Sequence, residues 1–205
     1  MDSVKDAKKI NRRTFFTKSI GYTAAGISAL TLPGMVNRAF AANGDRSKEE
    51  IIKEIEENAA KLYPVYHSCS QPTLAALNTG FNLKADQTVT AIKLFAGGIV
   101  GKGETCGAVT GALLAIGFYF EPQNQGDMSK SGSSMIYGRQ FFDRFTQEFG
   151  SIRCREVIKH QYGRYFDFGN MEDMQLFAKE KDKGKCIEVI KKAVRIASDL
   201  ILAKA

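Results

Sequence analysis

Apolar residues recur along most of the chain with the spacing of amphipathic helices. Between Ser47 and Tyr63 they lie three or four positions apart, with acidic residues early, which predicts a first helix. Further helices are predicted in the segments 67–81, 84–98, 105–120, 135–150, 151–160 and 184–205. No segment alternates polar and apolar residues as a half-buried strand does. The pattern therefore predicts an all-α fold, a single compact domain of about six to eight helices.

Polar residues mark the predicted starts of several helices. Ser68, Asp86 and Ser151 are predicted caps, because their side-chain oxygens can accept a free backbone N–H. The helix 135–150 is predicted to bury one apolar face, made of Ile136, Phe141, Phe142, Phe145 and Phe149. The uncharged segment 105–120 is shorter than the ~20 residues of a membrane span, so we expect it to be a buried helix.

The first 41 residues have the composition of an export leader. The sequence RRTFF at 12–16 precedes an uncharged run, and AFA at 39–41 suits cleavage by signal peptidase. The paired arginines favour a bacterial twin-arginine signal over an ordinary secretory signal or a short membrane anchor. We therefore expect a leader recognised by the twin-arginine export machinery (1–41), a short tail (42–48) and a periplasmic domain (49–205).

The leader also holds most of the net positive charge. The chain has a net charge of +7, and its first 41 residues contain seven Lys and Arg against two acidic residues. The remainder is close to neutral, which removes the charge argument for nucleic-acid binding. Without the leader, no uncharged segment is long enough to predict an integral membrane protein.

Four cysteines are spread over the chain after the leader: Cys69, Cys106, Cys154 and Cys186. None forms a C-x-x-C pair, so thioredoxin-type, haem-attachment and zinc-knuckle motifs are absent. Each is predicted in the first turn of a helix, where free N–H groups and the helix dipole stabilise a thiolate. A thiolate is both a redox nucleophile and a metal ligand. Two disulfides, or buried structural thiols, explain the same spacing and remain open alternatives.

A glycine-rich loop, GGIVGKGE, precedes Cys106. Its spacing matches neither the phosphate-binding loop nor the dinucleotide fingerprint, and no predicted strand leads into it. We expect its glycines to let the backbone pass close to whatever Cys106 binds, with N–H groups directed at that ligand. The predicted cofactor contacts are Gly98, Gly101, Gly103 and Gly107.

Two further segments are predicted to serve packing. Gly107, Gly111 and Ala115 form a stripe of small residues that allows close helix contact. Packing inside one chain is favoured for this stripe, and the interface of a homodimer is the alternative. The aromatic loop 162–168 is expected to pack in the core rather than to bind a substrate.

The segments around the cysteines resemble one known family. The sequences CSQPTLAAL, LFAGGIVGKGETCGAVTGALLAIG, FGSIRCREVI and KCIEVIKKA are similar to the C_GCAxxG_C_C family over roughly residues 49–202. The most specific part is C-G-A-x-x-G at 106–111, whose first glycine follows the cysteine where the family name puts it before. That family is described as redox-active, and a similar segment accompanies haem-binding sequence in split-Soret cytochromes c. The resemblance implies one shared site of four cysteines, without a defined reaction.

These observations lead to three hypotheses for function. The first is an exported electron-transfer protein that binds an iron–sulfur cluster through the four cysteines and has an unidentified electron partner. The second is a thiol/disulfide protein, with structural or redox-active disulfides between the same cysteines. The third is a non-redox metal-binding module, in which His67 is the extra ligand. His67 and His160 are otherwise expected to be solvated, although histidine replaces cysteine as a ligand in some iron–sulfur centres.

Overall fold

The computed structural model of this protein describes residues 46–121, 132–180 and 184–204. The predicted leader and residues 42–45 of the predicted tail lie outside that part of the chain. Export and the assignment of the leader therefore stay predictions.

The described residues form helices joined by short loops, and the all-α prediction is confirmed. This part of the chain contains eight α-helices: α1 (Lys48–Tyr66), α2 (Ser70–Phe81), α3 (Asp86–Ala91), α4 (Gly107–Phe120), α5 (Ser133–Phe149), α6 (Cys154–Tyr162), α7 (Met171–Glu180) and α8 (Lys185–Leu202). A short 3₁₀ helix, Ile92–Phe95, continues α3. Strand pairing within the described residues is limited to one antiparallel bridge, between Thr105 and Arg153.

Helices α2 and α4 form the centre of the core, and most of their residues are buried. They pack closely because α4 carries glycine where it meets α2. A Cβ atom on Gly111 would lie 2.7 Å from the carbonyl oxygen of Ser70. The small-residue stripe therefore packs inside the chain, and α4 is the buried helix that its sequence predicts. None of the helices in the described ranges has the length and apolar character needed to cross a membrane.

Helices α1 and α8 cover one side of this core and are joined by Arg195. The guanidinium of Arg195 donates two hydrogen bonds to the carboxylate of Glu56, at 2.8 and 2.7 Å. It donates two more to the exposed Glu49, at 3.0 and 2.9 Å. The planar donor pattern of arginine suits this bidentate contact and holds the two helices in register.

The three predicted caps are each displaced from the observed helix starts: α2 and α6 begin one and two residues later than predicted, and α3 begins one residue earlier. Ser68 still contributes to the start of α2, because its Oγ accepts the N–H of Gln71 at 3.4 Å. Ser151 instead accepts the N–H of Arg153 at 3.0 Å, in a turn that precedes α6. Asp86 is the first residue of α3 and makes no capping hydrogen bond there. Short polar side chains form turns as readily as helix caps, which explains the offset.

The predicted apolar face of α5 is partly wrong. Phe141 and Phe145 are fully buried and Phe149 nearly so, as predicted. Ile136 and Phe142, however, are 59% and 42% exposed. The three buried phenylalanines are four residues apart and share one face of the helix, whereas the other two residues lie around its circumference.

Candidate cysteine site

The four cysteines, which are far apart in the sequence, line a single cavity of about 380 Å³. All four are free thiols. Cys106 and Cys154 are buried from solvent, and Cys69 and Cys186 are half-buried. The fold therefore brings together the complete set of thiols that the sequence singles out.

Each cysteine lies at the N-terminus of a different helix. Cys69 and Cys106 immediately precede α2 and α4, Cys154 is the first residue of α6, and Cys186 is the second residue of α8. The N-terminal ends of four helices therefore point toward one cavity. Because each end carries partial positive charge and free N–H groups, the arrangement favours negative charge on the sulfur atoms.

A short backbone bridge sets Cys106 beside Cys154. The Cys106 N–H donates to the carbonyl oxygen of Ile152 at 2.8 Å, and the Cys154 N–H donates to that of Glu104 at 2.6 Å. These bonds flank the bridge between Thr105 and Arg153, so the starts of α4 and α6 are joined directly. The exchange of hydrogen bonds positions two cysteines that are 48 residues apart in the sequence.

The Cys69 sulfur is the most strongly hydrogen-bonded of the four. It accepts a hydrogen bond from the Cys106 thiol and others from the backbone N–H groups of Gly97, Gly107 and Cys69 itself. The Cys106 bond is the largest cause, and together these bonds outweigh burial and lower the pKa of Cys69 to about 6. Cys69 is therefore the thiol that ionises most readily.

Cys106 is the proton-bearing partner of this pair. Its hydrogen bond to Cys69, its burial and the negative charge of Cys69 raise the pKa of Cys106 well above that of an ordinary thiol. Cys69 and Cys106 therefore behave as one thiolate and one thiol that share a proton.

Burial dominates at the other two cysteines. It raises the pKa of Cys186 to about 12, with the charge of Cys69 acting in the same direction and a hydrogen bond from Tyr162 opposing it. It raises the pKa of Cys154 as well, reinforced by the charges of Cys69 and Cys186. Both thiols remain neutral near pH 7 unless a positive group enters the cavity.

The glycine-rich loop adopts a left-handed turn beside these thiols. Five successive residues, from Gly97 to Gly101, have positive φ angles. Glycine is required at Gly98, where a Cβ atom would lie 2.5 Å from the Glu104 nitrogen and 2.6 Å from the Cys154 Cβ. The close approach of the loop to a cysteine, which the sequence predicts, is present in the structure.

Two amide groups of this loop are used within the loop itself. Those of Gly101 and Gly103 donate to the carbonyl oxygens of Ala96 and Gly97 inside the loop. Gly97, which belongs to the predicted loop but not to the four predicted contacts, and Gly107 direct their N–H groups at the Cys69 sulfur. In the sequence, the Gly-Gly pair at 97–98 is the feature that indicates a close approach of the backbone at Gly97. Cofactor contacts by the four predicted glycines stay a prediction.

The two histidines are in different places. His67 is exposed at the edge of the cavity that the cysteines line, whereas His160 is exposed on α6 and does not line that cavity. Across the described residues, no group of three or more His, Cys, Asp or Glu side chains is arranged to hold a metal ion.

Four aromatic side chains and one methionine complete the cavity. We call this set the aromatic wall: Tyr63, Tyr162, Phe168, Phe177 and Met174. Tyr162 and Phe168 come from the loop that was predicted to serve packing alone. They do pack, since the rings of Tyr162 and Phe168 both contact Phe177 edge to face, at 5.7 and 5.0 Å between centroids. Their position on the cavity was missed because the sequence does not show that this loop folds back over the cysteines.

Comparison with known proteins agrees with the cysteine arrangement. The family model described as "Putative redox-active protein (C_GCAxxG_C_C)" matches residues 67–200, a range that includes all four cysteines and the glycine-rich loop. No curated protein and no solved structure matches the chain. The four free thiols that line one cavity also follow the order of cysteines in the family pattern. Because the match covers well over half of the chain, the chain belongs to the C_GCAxxG_C_C family.

Proposed function

We propose that this chain is an exported bacterial redox protein that binds an iron–sulfur cluster through its four cysteines and transfers electrons to a partner. The observation that carries the proposal is the convergence of four thiols, from four helix N-termini, on one cavity. Thiolate sulfur is the usual protein ligand of such clusters, so this donor set fits the group. The ligands would be Cys69, Cys106, Cys154 and Cys186.

The size of the cavity suits a group of several metal atoms. A zinc ion needs its sulfur ligands at about 2.3 Å. No described set of side chains is that compact. In a cluster the four cysteines bind two or four different iron atoms, so the ligands stand around a larger volume. The cavity of about 380 Å³ offers that volume.

The electrostatics of the cavity also suit a cationic metal group. Burial and mutual repulsion keep Cys106, Cys154 and Cys186 protonated, so binding of metal would release their protons. The N–H groups of Gly97 and Gly107 at Cys69 would offset part of the negative charge on the ligand sulfurs. A bound cluster would supply one-electron transfer, and the rings of the aromatic wall would limit its contact with water.

The proposal includes export to the periplasm through the twin-arginine route. The support is the RRTFF motif at 12–16 and the AFA sequence at 39–41. That route carries folded proteins, which would allow a cluster to be inserted before export. Residues 49–205 would then form the redox domain, free of the membrane once the leader is removed.

A thiol/disulfide function is the second candidate, and the contact between Cys69 and Cys106 favours it. A thiolate of low pKa beside a protonated thiol is the arrangement that supports disulfide exchange. Cys69 would attack a substrate disulfide to form a mixed disulfide and release one substrate thiol. Cys106 would then attack the Cys69 sulfur of the mixed disulfide and release the second substrate thiol. The products would be the Cys69–Cys106 disulfide and a substrate dithiol, so two electrons and two protons pass to the substrate.

Purification of the full chain without oxygen tests these alternatives. The measurements are the visible spectrum, the iron and acid-labile sulfide content, and mass-spectrometric mapping of disulfides. Cys106→Ser is the informative variant, and His160→Gln is its control because His160 lies away from the cavity. The cluster proposal expects coloured protein with iron and sulfide in the wild type and the control, and loss of both in Cys106→Ser.

Two other results would reject the cluster proposal, and a third would change only its ligand set. Colourless, iron-free protein with a Cys69–Cys106 disulfide would support the second candidate. Zinc or copper without sulfide would instead support a metal-binding module, and His67→Gln would then show whether His67 is a ligand. An unchanged spectrum and iron content in Cys106→Ser would remove Cys106 from the ligand set.

A further inference from the structure

Tyr162, the last residue of α6, is hydrogen-bonded to Cys186 at the start of α8. The Cys186 N–H donates to the Tyr162 Oη at 3.3 Å. The Tyr162 hydroxyl therefore lies next to the Cys186 thiol, and it favours the ionised form of that sulfur. An N–H group at the start of a helix has no partner within that helix. The phenol oxygen therefore satisfies one of these groups, and the hydroxyl that carries it is held beside the thiol.

The Tyr162 ring is held in place from several sides. Phe166 and Phe177 contact it edge to face, at 5.9 and 5.7 Å between centroids. The Lys185 ammonium lies 4.9 Å from the ring centroid and donates to the carbonyl oxygen of Gln161 at 2.7 Å. Because its ring is fixed by packing and a cation–π contact, the Tyr162 hydroxyl has a defined position next to Cys186.

This donor differs from those at the other cysteines. Cys69 receives its protein donors from backbone amides and from the Cys106 thiol. At Cys186 the donor is a side-chain hydroxyl, which a single-atom change can remove without altering the backbone. Tyr63 also lines the cavity, but in the described part of the structure it is not hydrogen-bonded to a cysteine sulfur. Tyr63 therefore provides a matched comparison.

We propose that Tyr162 is a positioning residue that orients Cys186 and raises the reduction potential of the group this cysteine binds. The second half rests on the proposed cluster function. A hydrogen bond donated to a ligand sulfur withdraws electron density from it and so stabilises the more negative, reduced state of the site. The amide contact fixes the start of α8 and with it the direction of the Cys186 side chain.

The test compares Tyr162→Phe with Tyr63→Phe, both of which keep the aromatic ring. In cluster-loaded protein, we expect Tyr162→Phe to retain its iron and sulfide but to have a lower midpoint potential than the wild type. Resonance Raman spectra should show a change in the iron–cysteine stretching bands. Tyr63→Phe should leave the potential and these bands unchanged. Equal potentials for the wild type and Tyr162→Phe would overturn the effect on potential.

A second measurement does not depend on the cluster. In metal-free reduced protein, hydrogen exchange of the Cys186 amide, followed by NMR, should be about tenfold faster in Tyr162→Phe because that amide loses its acceptor. Tyr63→Phe should match the wild type. Unchanged exchange in Tyr162→Phe would overturn the positioning role. Wild-type protein that never takes up iron, together with faster exchange in this variant, would reject the cluster and retain the positioning role.

Discussion

Gly107 packs directly against the sulfur of Cys69. A Cβ atom on Gly107 would lie 2.5 Å from the Cys69 Sγ, and 3.0 Å from both the Phe95 carbonyl oxygen and the Ser70 nitrogen. The N–H of the same glycine donates to that sulfur. Glycine at this position therefore allows α4 to approach α2 and also delivers an amide to the most acidic thiol of the site.

Gly107→Ala should lower the free energy of unfolding by about 1–3 kcal/mol, because a methyl group has no room between α2 and α4. It should also displace the Cys69 sulfur, and we expect weaker binding of the proposed cluster. Chemical denaturation and the iron content measure the two effects.

Gly117→Ala is the matched control on the same helix. Nothing lies within 4 Å of a Cβ atom at Gly117. Alanine favours a helix over glycine, so this variant should be more stable by about 0.5–1 kcal/mol with unchanged iron content. Equal stability of the two variants would show that the contact between Gly107 and Cys69 is not tight.

Alkylation of the reduced, metal-free protein should modify Cys69 first. With a pKa of about 6, Cys69 is mostly thiolate at pH 7. Its rate of reaction should therefore rise between pH 5 and pH 7 and then level off, since the thiolate is the nucleophile. Cys186, with a pKa of about 12, should gain reactivity only in strongly alkaline solution. Mass spectrometry after timed exposure to iodoacetamide gives the rate at each cysteine.

Cys106→Ala identifies the cause of this reactivity. The hydrogen bond from Cys106 is the largest cause of the low pKa of Cys69, so its loss should move the Cys69 profile to higher pH. A profile that stays in place would assign the low pKa to the backbone N–H groups instead. Faster alkylation of Cys154 than of Cys69 in the wild type would contradict the described geometry.

Arg195→Gln should lower the free energy of unfolding by about 2 kcal/mol, between the values typical of exposed and buried ion pairs. The side chains of Arg195 and Glu56 are 31% and 10% exposed, so loss of the guanidinium leaves a largely buried carboxylate without its partner. Thermal and urea denaturation measure the change.

Lys48→Gln is the corresponding control, because Lys48 also links α1 to α8. Its ion pair with Asp199 is exposed, with 47% and 36% of the two side chains accessible. An exposed pair contributes about 0–1 kcal/mol, so this variant should be close to the wild type. If both variants lost the same stability, burial of Glu56 would not be the reason.

Val100→Asn should raise the stability by about 1 kcal/mol, since asparagine tolerates the left-handed region better than a β-branched residue does. Val100 has a φ angle of +47° and is 60% exposed, so little packing is lost. Val65→Asn makes the same change at an exposed position of α1, where we expect a change within about 0.5 kcal/mol. A melting temperature that falls in Val100→Asn would show that the valine side chain contributes more than the strained backbone costs.

The periodicity of apolar residues was sufficient to predict the helices, because each must bury one face. It was less accurate at the helix starts, where Ser151 forms a turn instead of a cap. It also assigned Phe142 to the core, although the side chain is 42% exposed. An apolar residue at the margin of a helix face is buried only if a neighbouring element covers it, and the sequence of one helix does not show this.

The sequence alone determined the all-α class, the four cysteines near helix starts and the need for glycine beside them, because these follow from local backbone preferences and residue chemistry. Only the tertiary structure decided that cysteines separated by 37, 48 and 32 residues line one cavity. It also decided that Cys69 is the acidic thiol and that Tyr162 faces Cys186. Hydrogen bonds between segments that are distant in the sequence give Cys69 its low pKa and place Tyr162 beside Cys186. The spacing of residues along the chain carries no information about these bonds.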